Sequence, residues 1–145
     1  MKIGCPTETF EGERRVAMTP DSIRQILKLG HDCVVQSGAG DAAGFPDAAY
    51  EEAGAAIVKT AATLWKQADI VVKVRGVTKK EESQLRADQT VISLFWPAQN
   101  PELLETFKSA GTNAIAMDMV PRISRAQKMD AVSYTHLTLP TTNSV

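Results

Sequence analysis

The sequence predicts an α/β domain, a doubly wound and mostly parallel sheet with helices on both faces. Three observations predict it. Short apolar runs rich in Val and Ile have the length of buried strands. Segments of helical period lie between them. The two kinds alternate about five times with short links, an order that calls for a parallel sheet covered on both sides.

The expected strands are Lys2–Cys5, Asp32–Gln36, Ala55–Val58, Asp69–Val74, Thr90–Phe95 and Asn113–Met117. Thr19-Pro20 offers an N-cap followed by proline at the first helical position. Ile23, Ile26 and Leu27 then form a 3.6-residue stripe that stops at Gly30. A second, short helix is expected over Asp47–Glu52, closed by Gly54, with a third over Thr60–Gln67 and a fourth over Lys79–Arg86. Asn100-Pro101 opens a fifth, whose apolar side carries Leu103, Leu104 and Phe107 and which ends at Gly111. The last stretch, Tyr134–Val145, has no charged residue, four threonines and no helical period. On composition alone it reads as a disordered tail.

Composition narrows the function classes. Sixteen Lys and Arg against seventeen Asp and Glu leave a formal charge of −1, not the basic excess of a nucleic-acid binder. With 43% hydrophobic residues over 145 positions, the chain has enough apolar surface for a real core, so disorder is excluded as its main state. No apolar run approaches the ~20 residues of a membrane span. Met1-Lys2-Ile3-Gly4 enters a strand directly and does not read as a signal peptide. Cys5 and Cys33 lie in apolar stretches and read as reduced, buried thiols, although two strand cysteines could meet. His31 and His136 are isolated, no cluster has metal-ligand spacing, and no metal is expected.

Four places carry possible chemistry. Gly38-Ala39-Gly40-Asp41-Ala42-Ala43 fits G-x-G-x-x-A after a strand, but Gly44-Phe45-Pro46 interrupts the helix a phosphate loop must open. An ordinary glycine turn is the better reading. Arg15 lies after the first strand, on the side where ligands bind such sheets, and could hold a carboxylate or phosphate in a fork. The competing reading is a solvated loop in which Glu8, Glu13 and Arg14 are exchanging surface ions. Lys73 is either a crevice cation or a strand-end lysine reaching to water. In Pro121–Asp130, Ser124 and Gln127 form a capping box, while two arginines beside a helix start also suit an anion and a neighbouring amide suits an amide-bearing ring.

The combination is more specific than its parts. GCPTETFEGERRVAMTPDSIRQILKLG resembles the N-terminal signature shared by alanine dehydrogenase and the alpha subunit of proton-translocating NAD(P) transhydrogenase, with Cys5 and Gly12 as small departures. SGAGDAAGF, WPAQNPEL at Trp96–Leu103 and MDMVPRISRAQKMDAVS at Met117–Ser133 resemble the transhydrogenase branch, and the likeness runs over residues 1–133. The dehydrogenases carry a catalytic histidine after the fifth strand, where this chain has Phe95-Trp96-Pro97-Ala98-Gln99. Reducing pyruvate needs a proton donor, whereas hydride transfer between two nicotinamides needs only close, oriented rings.

The resemblance implies a flavodoxin- or Rossmann-like fold and use of NAD(H) and NADP(H). It implies that Arg122, Gln127, Asp130 and Ser133 contact the nicotinamide, with Gln127 nearest the hydride-transfer region. Arg15 and Lys73 match the family's carboxylate-holding pair. It further implies a second, Rossmann domain, a homodimer of alpha subunits, and membrane and NADP-binding components at the cytoplasmic face of the bacterial inner membrane. Because the likeness breaks at Tyr134, residues 134–145 resemble the translated adapter-type ends of incomplete assembled genes. On that reading the chain is a truncated fragment of a two-domain protein, with residues 1–133 as its N-terminal α/β domain, and inactive alone. The alternatives are an alanine dehydrogenase-type enzyme and a non-catalytic α/β binding domain.

Overall fold

The computed structural model describes residues 1–120. Six strands form one all-parallel sheet: β1 (Lys2–Cys5), β2 (Asp32–Gln36), β3 (Ala56–Val58), β4 (Ile70–Arg75), β5 (Thr90–Leu94) and β6 (Asn113–Ala116). The order across the sheet is β3-β2-β1-β4-β5-β6. The chain builds outward from β1 to β3, then crosses back to place β4 on the other side of β1. The carboxyl ends of β1 and β4 therefore flank the point where a doubly wound sheet opens a crevice.

The helices are α1 (Pro20–Lys28), α2 (Asp47–Ala53), α3 (Ala61–Gln67) and α4 (Pro101–Ala110). Local chemistry starts α1: the Thr19 hydroxyl accepts from the Ser22 N–H at 3.2 Å, and the Ser22 hydroxyl accepts from the Thr19 N–H at 2.8 Å. Alternation along the strands makes two cores. Cys33 and Val35 pack with Met18, Ile23 and Tyr50 on one face, while Val34 packs with Leu64, Trp65 and Val71 on the other. Helices thus lie on both faces, as the alternating segments predict.

Covering is uneven. On β4 and β5, buried Val71, Lys73, Val91 and Ser93 alternate with half-buried Ile70, Val72, Ile92 and Leu94. Ile115, which pairs with Ile92, is exposed on the edge strand.

The fourth expected helix does not form. Over Lys79–Arg86 there is only a 3-10 turn at Glu82–Gln84. Glu81 is buried at 5% exposure and its carboxylate is used elsewhere, so a tertiary contact overrides good helix propensity.

The glycine-rich turn is a turn, not a phosphate cradle. The Gly38 N–H donates to Asp47 Oδ1 at 2.9 Å, so a carboxylate already sits where a phosphate would. Hydrogen bonds from Gly38 and Ser37 hold the Asp47 carboxyl below its ordinary range. Gly40 faces the Tyr50 hydroxyl so closely that an added Cβ would lie 2.5 Å from it. Cys5 and Cys33 are free and buried, and burial pushes the Cys5 thiol up to about 11. In register Ile3, not Cys5, lies opposite Cys33.

Candidate functional site

The crevice between β1 and β4 is lined by a compact ion network. Its origin is a bulge. Pairing of β4 with β5 runs Val72 to Ile92 but then Arg75 to Leu94, so β4 carries one extra residue there. A bulge leaves backbone donors outside the ladder. Glu8, from the loop after β1, supplies the acceptor: its carboxylate takes the Val74 N–H at 2.9 Å and the Arg75 N–H at 3.0 Å.

Lys73 lies beneath with its side chain 0% exposed. Its ammonium meets Glu81 Oε1 at 3.0 Å, Glu8 Oε1 at 3.4 Å and the Arg75 carbonyl at 3.4 Å. Three acceptors match its three donors. It therefore does not reach to water. Glu81 also accepts from the Thr78 N–H at 3.0 Å and its hydroxyl at 3.1 Å. Thr78-x-x-Glu81 is a capping-box spacing, the sequence signal by which Glu81 could have been found.

Arg15 and Arg75 converge on Glu13. Arg15 donates through Nε at 2.9 Å and Nη2 at 2.7 Å, and Arg75 through Nε at 2.8 Å. The fork of Arg15 is thus filled by a residue of its own loop, while the side chain stays 61% exposed. Glu8 and Glu13 are not exchanging surface ions, since their side chains are 3% and 4% exposed. The guanidinium of Arg75 also lies 4.3 Å over the Phe10 ring. Three acids and three bases balance, so the cluster offers no net positive charge to an anion.

Hydrogen bonds from Arg15, supported by Arg75, hold the Glu13 carboxyl far below the ordinary carboxylate range. A depressed folded value stabilises above the ordinary value of 4.5, and the gain is lost as pH falls below it toward the folded value. Glu13→Gln is expected to be less stable than the parent at neutral pH, with the gap shrinking steadily below that value. Urea unfolding across the acid range measures it. A gap that stays constant with pH sinks the assignment.

Beside the network, beyond β4 and β5, lies a cavity of about 490 Å³ lined by Phe10, Arg75, Val77, Trp96, Gln99 and Leu103 among others. Gly76 forms part of its wall, and a Cβ there would lie 2.7 Å from Phe95 Cβ. The turn after β5 adopts an unusual backbone, with Trp96 at φ 44°. Sequence pattern singled out neither this backbone nor the cavity. Of the expected site residues, Arg15 is brought to this crevice on the loop after β1 and Lys73 on strand β4. Arg122, Gln127, Asp130 and Ser133 lie outside the described residues, as does the 134–145 stretch. Asp118, shortly before them, accepts from the Phe95 N–H at 3.0 Å.

Comparison with known proteins agrees with this architecture. The family described as "Alanine dehydrogenase/PNT, N-terminal domain" matches residues 4–137. The NAD(P) transhydrogenase subunit alpha of Cereibacter sphaeroides is 63% identical over 133 residues, covering 92% of this chain and 25% of that protein. An alanine dehydrogenase of Halomonas elongata is 37% identical over 120 residues, covering 83% of this chain and 32% of that protein. The crystal structure of transhydrogenase from Sinorhizobium meliloti superposes with TM-score 0.87 at 37% identity, covering 92% of this chain and 40% of that one. The chain spans about a quarter of the length of the transhydrogenase subunit it matches. By its match over residues 4–137, the chain belongs to the alanine dehydrogenase/PNT N-terminal domain family.

Proposed function

We propose that this chain is the N-terminal part of the NAD(H)-binding alpha subunit of a proton-translocating NAD(P) transhydrogenase. The observation that carries the reading is the 63% identity to a transhydrogenase alpha subunit, against 37% to an alanine dehydrogenase. Two features agree with it. Trp96-Pro97 stands after β5 where an amino-acid dehydrogenase would need a proton donor. The charge-balanced crevice has no unpaired cation for a keto-acid carboxylate among the described residues.

Bound NAD(H) would give or take the hydride. The glycine turn gives no phosphate grip, because Asp47 holds the Gly38 N–H. That grip falls to a second, Rossmann domain outside this chain. What this chain supplies is one wall of the cleft. Arg122, Gln127, Asp130 and Ser133 hold and orient the nicotinamide end, with Gln127 nearest the transfer region. Arg15 and Lys73 serve the walls of the same crevice. The isolated chain is inactive and residues 134–145 are foreign to the native gene. The whole protein works as a homodimer of alpha subunits. It joins membrane and NADP-binding components at the cytoplasmic face of the bacterial inner membrane.

The whole protein with its partner components is expected to reduce an NADP analogue with NADH and not to convert pyruvate to alanine. Both rates are followed by nucleotide absorbance. Robust NADH-dependent alanine formation overturns the reading in favour of the dehydrogenase.

A further inference from the structure

The ladder between β5 and β6 ends on a side chain. Its register runs from Thr90 opposite Asn113 to Ser93 opposite Ala116. The Thr90 N–H donates toward β4, to the Asp69 carbonyl at 3.0 Å, and the Asn113 N–H donates to the Gln89 carbonyl at 2.8 Å. N–H groups point alternately to either side along a strand, so those of Val91, Ser93 and Phe95 face β6. The next main-chain acceptor in that series is the Met117 carbonyl. The backbone, however, turns at Met117–Met119 into a 3-10 helix, and the Met117 carbonyl takes the Val120 N–H at 3.4 Å. The half-buried Asp118 fills the gap: its Oδ1 accepts the Phe95 N–H at 3.0 Å. A main-chain rung would keep the chain extended through Met117. A side-chain rung lets it turn there while the Phe95 N–H stays satisfied, and the carboxylate makes the bond charge-assisted.

The other end of this bond is fixed. Phe95 is buried, its carbonyl accepts from Asn100 Nδ2 at 2.7 Å, and its ring stands edge-on to Phe107 with centroids 5.5 Å apart. Asp118 therefore ties the departing chain to one of the best-held peptides of β5. Arg122 follows four positions later and Gln127 nine.

We propose that Asp118 is a positioning residue for hydride transfer: by standing in for the last rung of the sheet, it fixes the point at which the chain leaves β6 ahead of Arg122 and Gln127. It acts through those residues and touches no reacting atom. The inference deepens the proposed function and rests on it for what Arg122 and Gln127 hold. Displacing their root misplaces the reacting ring, while the phosphate grip of the second domain stays. The loss therefore falls on turnover more than on the Michaelis constant for NADH.

The test has two arms. In the 145-residue chain, amide hydrogen exchange is read at Phe95, with Val91 and Ser93 as controls for the intact ladder. Asp118→Ala is expected to speed exchange at Phe95 about tenfold, the scale of one charge-assisted hydrogen bond, and to leave Val91 and Ser93 protected. In the whole protein with its partner components, the same variant is expected to lower turnover of the NADH-dependent reaction about tenfold or more, with the Michaelis constant for NADH within about threefold of the parent. Asp118→Asn keeps an acceptor oxygen at the same place and is expected to restore both Phe95 protection and most of the turnover. Parent-like turnover in Asp118→Ala overturns the proposal. So does a turnover loss that leaves Phe95 exchange unchanged, or one that Asp118→Asn does not rescue. Loss of protection at Val91 and Ser93 as well makes Asp118 a brace of the whole sheet and overturns it too. The NADH-dependent reaction is followed with an NADP analogue and with pyruvate as acceptors. The expected pattern seen only with pyruvate keeps the positioning role and removes the transhydrogenase reading. Full transfer to the NADP analogue by Asp118→Ala removes the role and keeps the reading.

Discussion

Replacing Lys73 with methionine is expected to destabilise the domain by about 3–5 kcal/mol, the range seen when one partner of a buried ion pair is removed. The substitution preserves volume and leaves Glu8 and Glu81 facing each other with side chains 3% and 6% exposed. Glu8 retains two backbone donors, but Glu81 keeps only those of Thr78. In a domain of this size the loss corresponds to a fall in melting temperature of roughly 10–20 °C. Denaturant unfolding measures it. Adding Glu81→Gln to the methionine variant removes one stranded charge and is expected to recover part of the loss. A change under about 1 kcal/mol, the scale of exposed pairs, shows instead that water reaches the ammonium.

The other large effect is kinetic. In the whole protein, Gln127→Ala and Gln127→Glu are both expected to lower hydride transfer about 100-fold, the scale of a small misplacement of reacting groups. The capping-box role of Gln127 predicts something different: about 1 kcal/mol of stability lost in the alanine variant, little change in rate, and a glutamate variant that caps as well as the parent. Melting temperature and turnover measured on both variants separate the two. Near-normal turnover in both, with only alanine melting lower, makes Gln127 a cap and removes the support it lends Arg122 and Asp130.

The sheet was readable because its signals are local. Lys2–Cys5 and Asp32–Gln36 are strands to the residue, and Thr19-Pro20 starts α1 as its capping chemistry demands. The glycine turn could be told from a phosphate loop because Pro46 breaks the helix that loop requires. Lys79–Arg86 was misread for the opposite reason. Its residues favour helix one by one, but the Glu81 carboxylate gains more from Lys73, which lies eight positions away and on a strand.

By itself, then, the sequence determined the α/β class, the alternation of strand and helix, the caps and the family signature. Each follows from periodicity or from chemistry within a few residues. Only the tertiary structure decided that the acids of the first loop are buried, that Arg15 is spent on Glu13, and that Trp96 is turned into a cavity. The burial of Glu8 follows from one extra residue in β4, which frees the Val74 and Arg75 amides for its carboxylate and brings segments some 65 positions apart into contact. A bulge has no side-chain signature, and the pairs it creates are set by distance in space, which residue order does not encode.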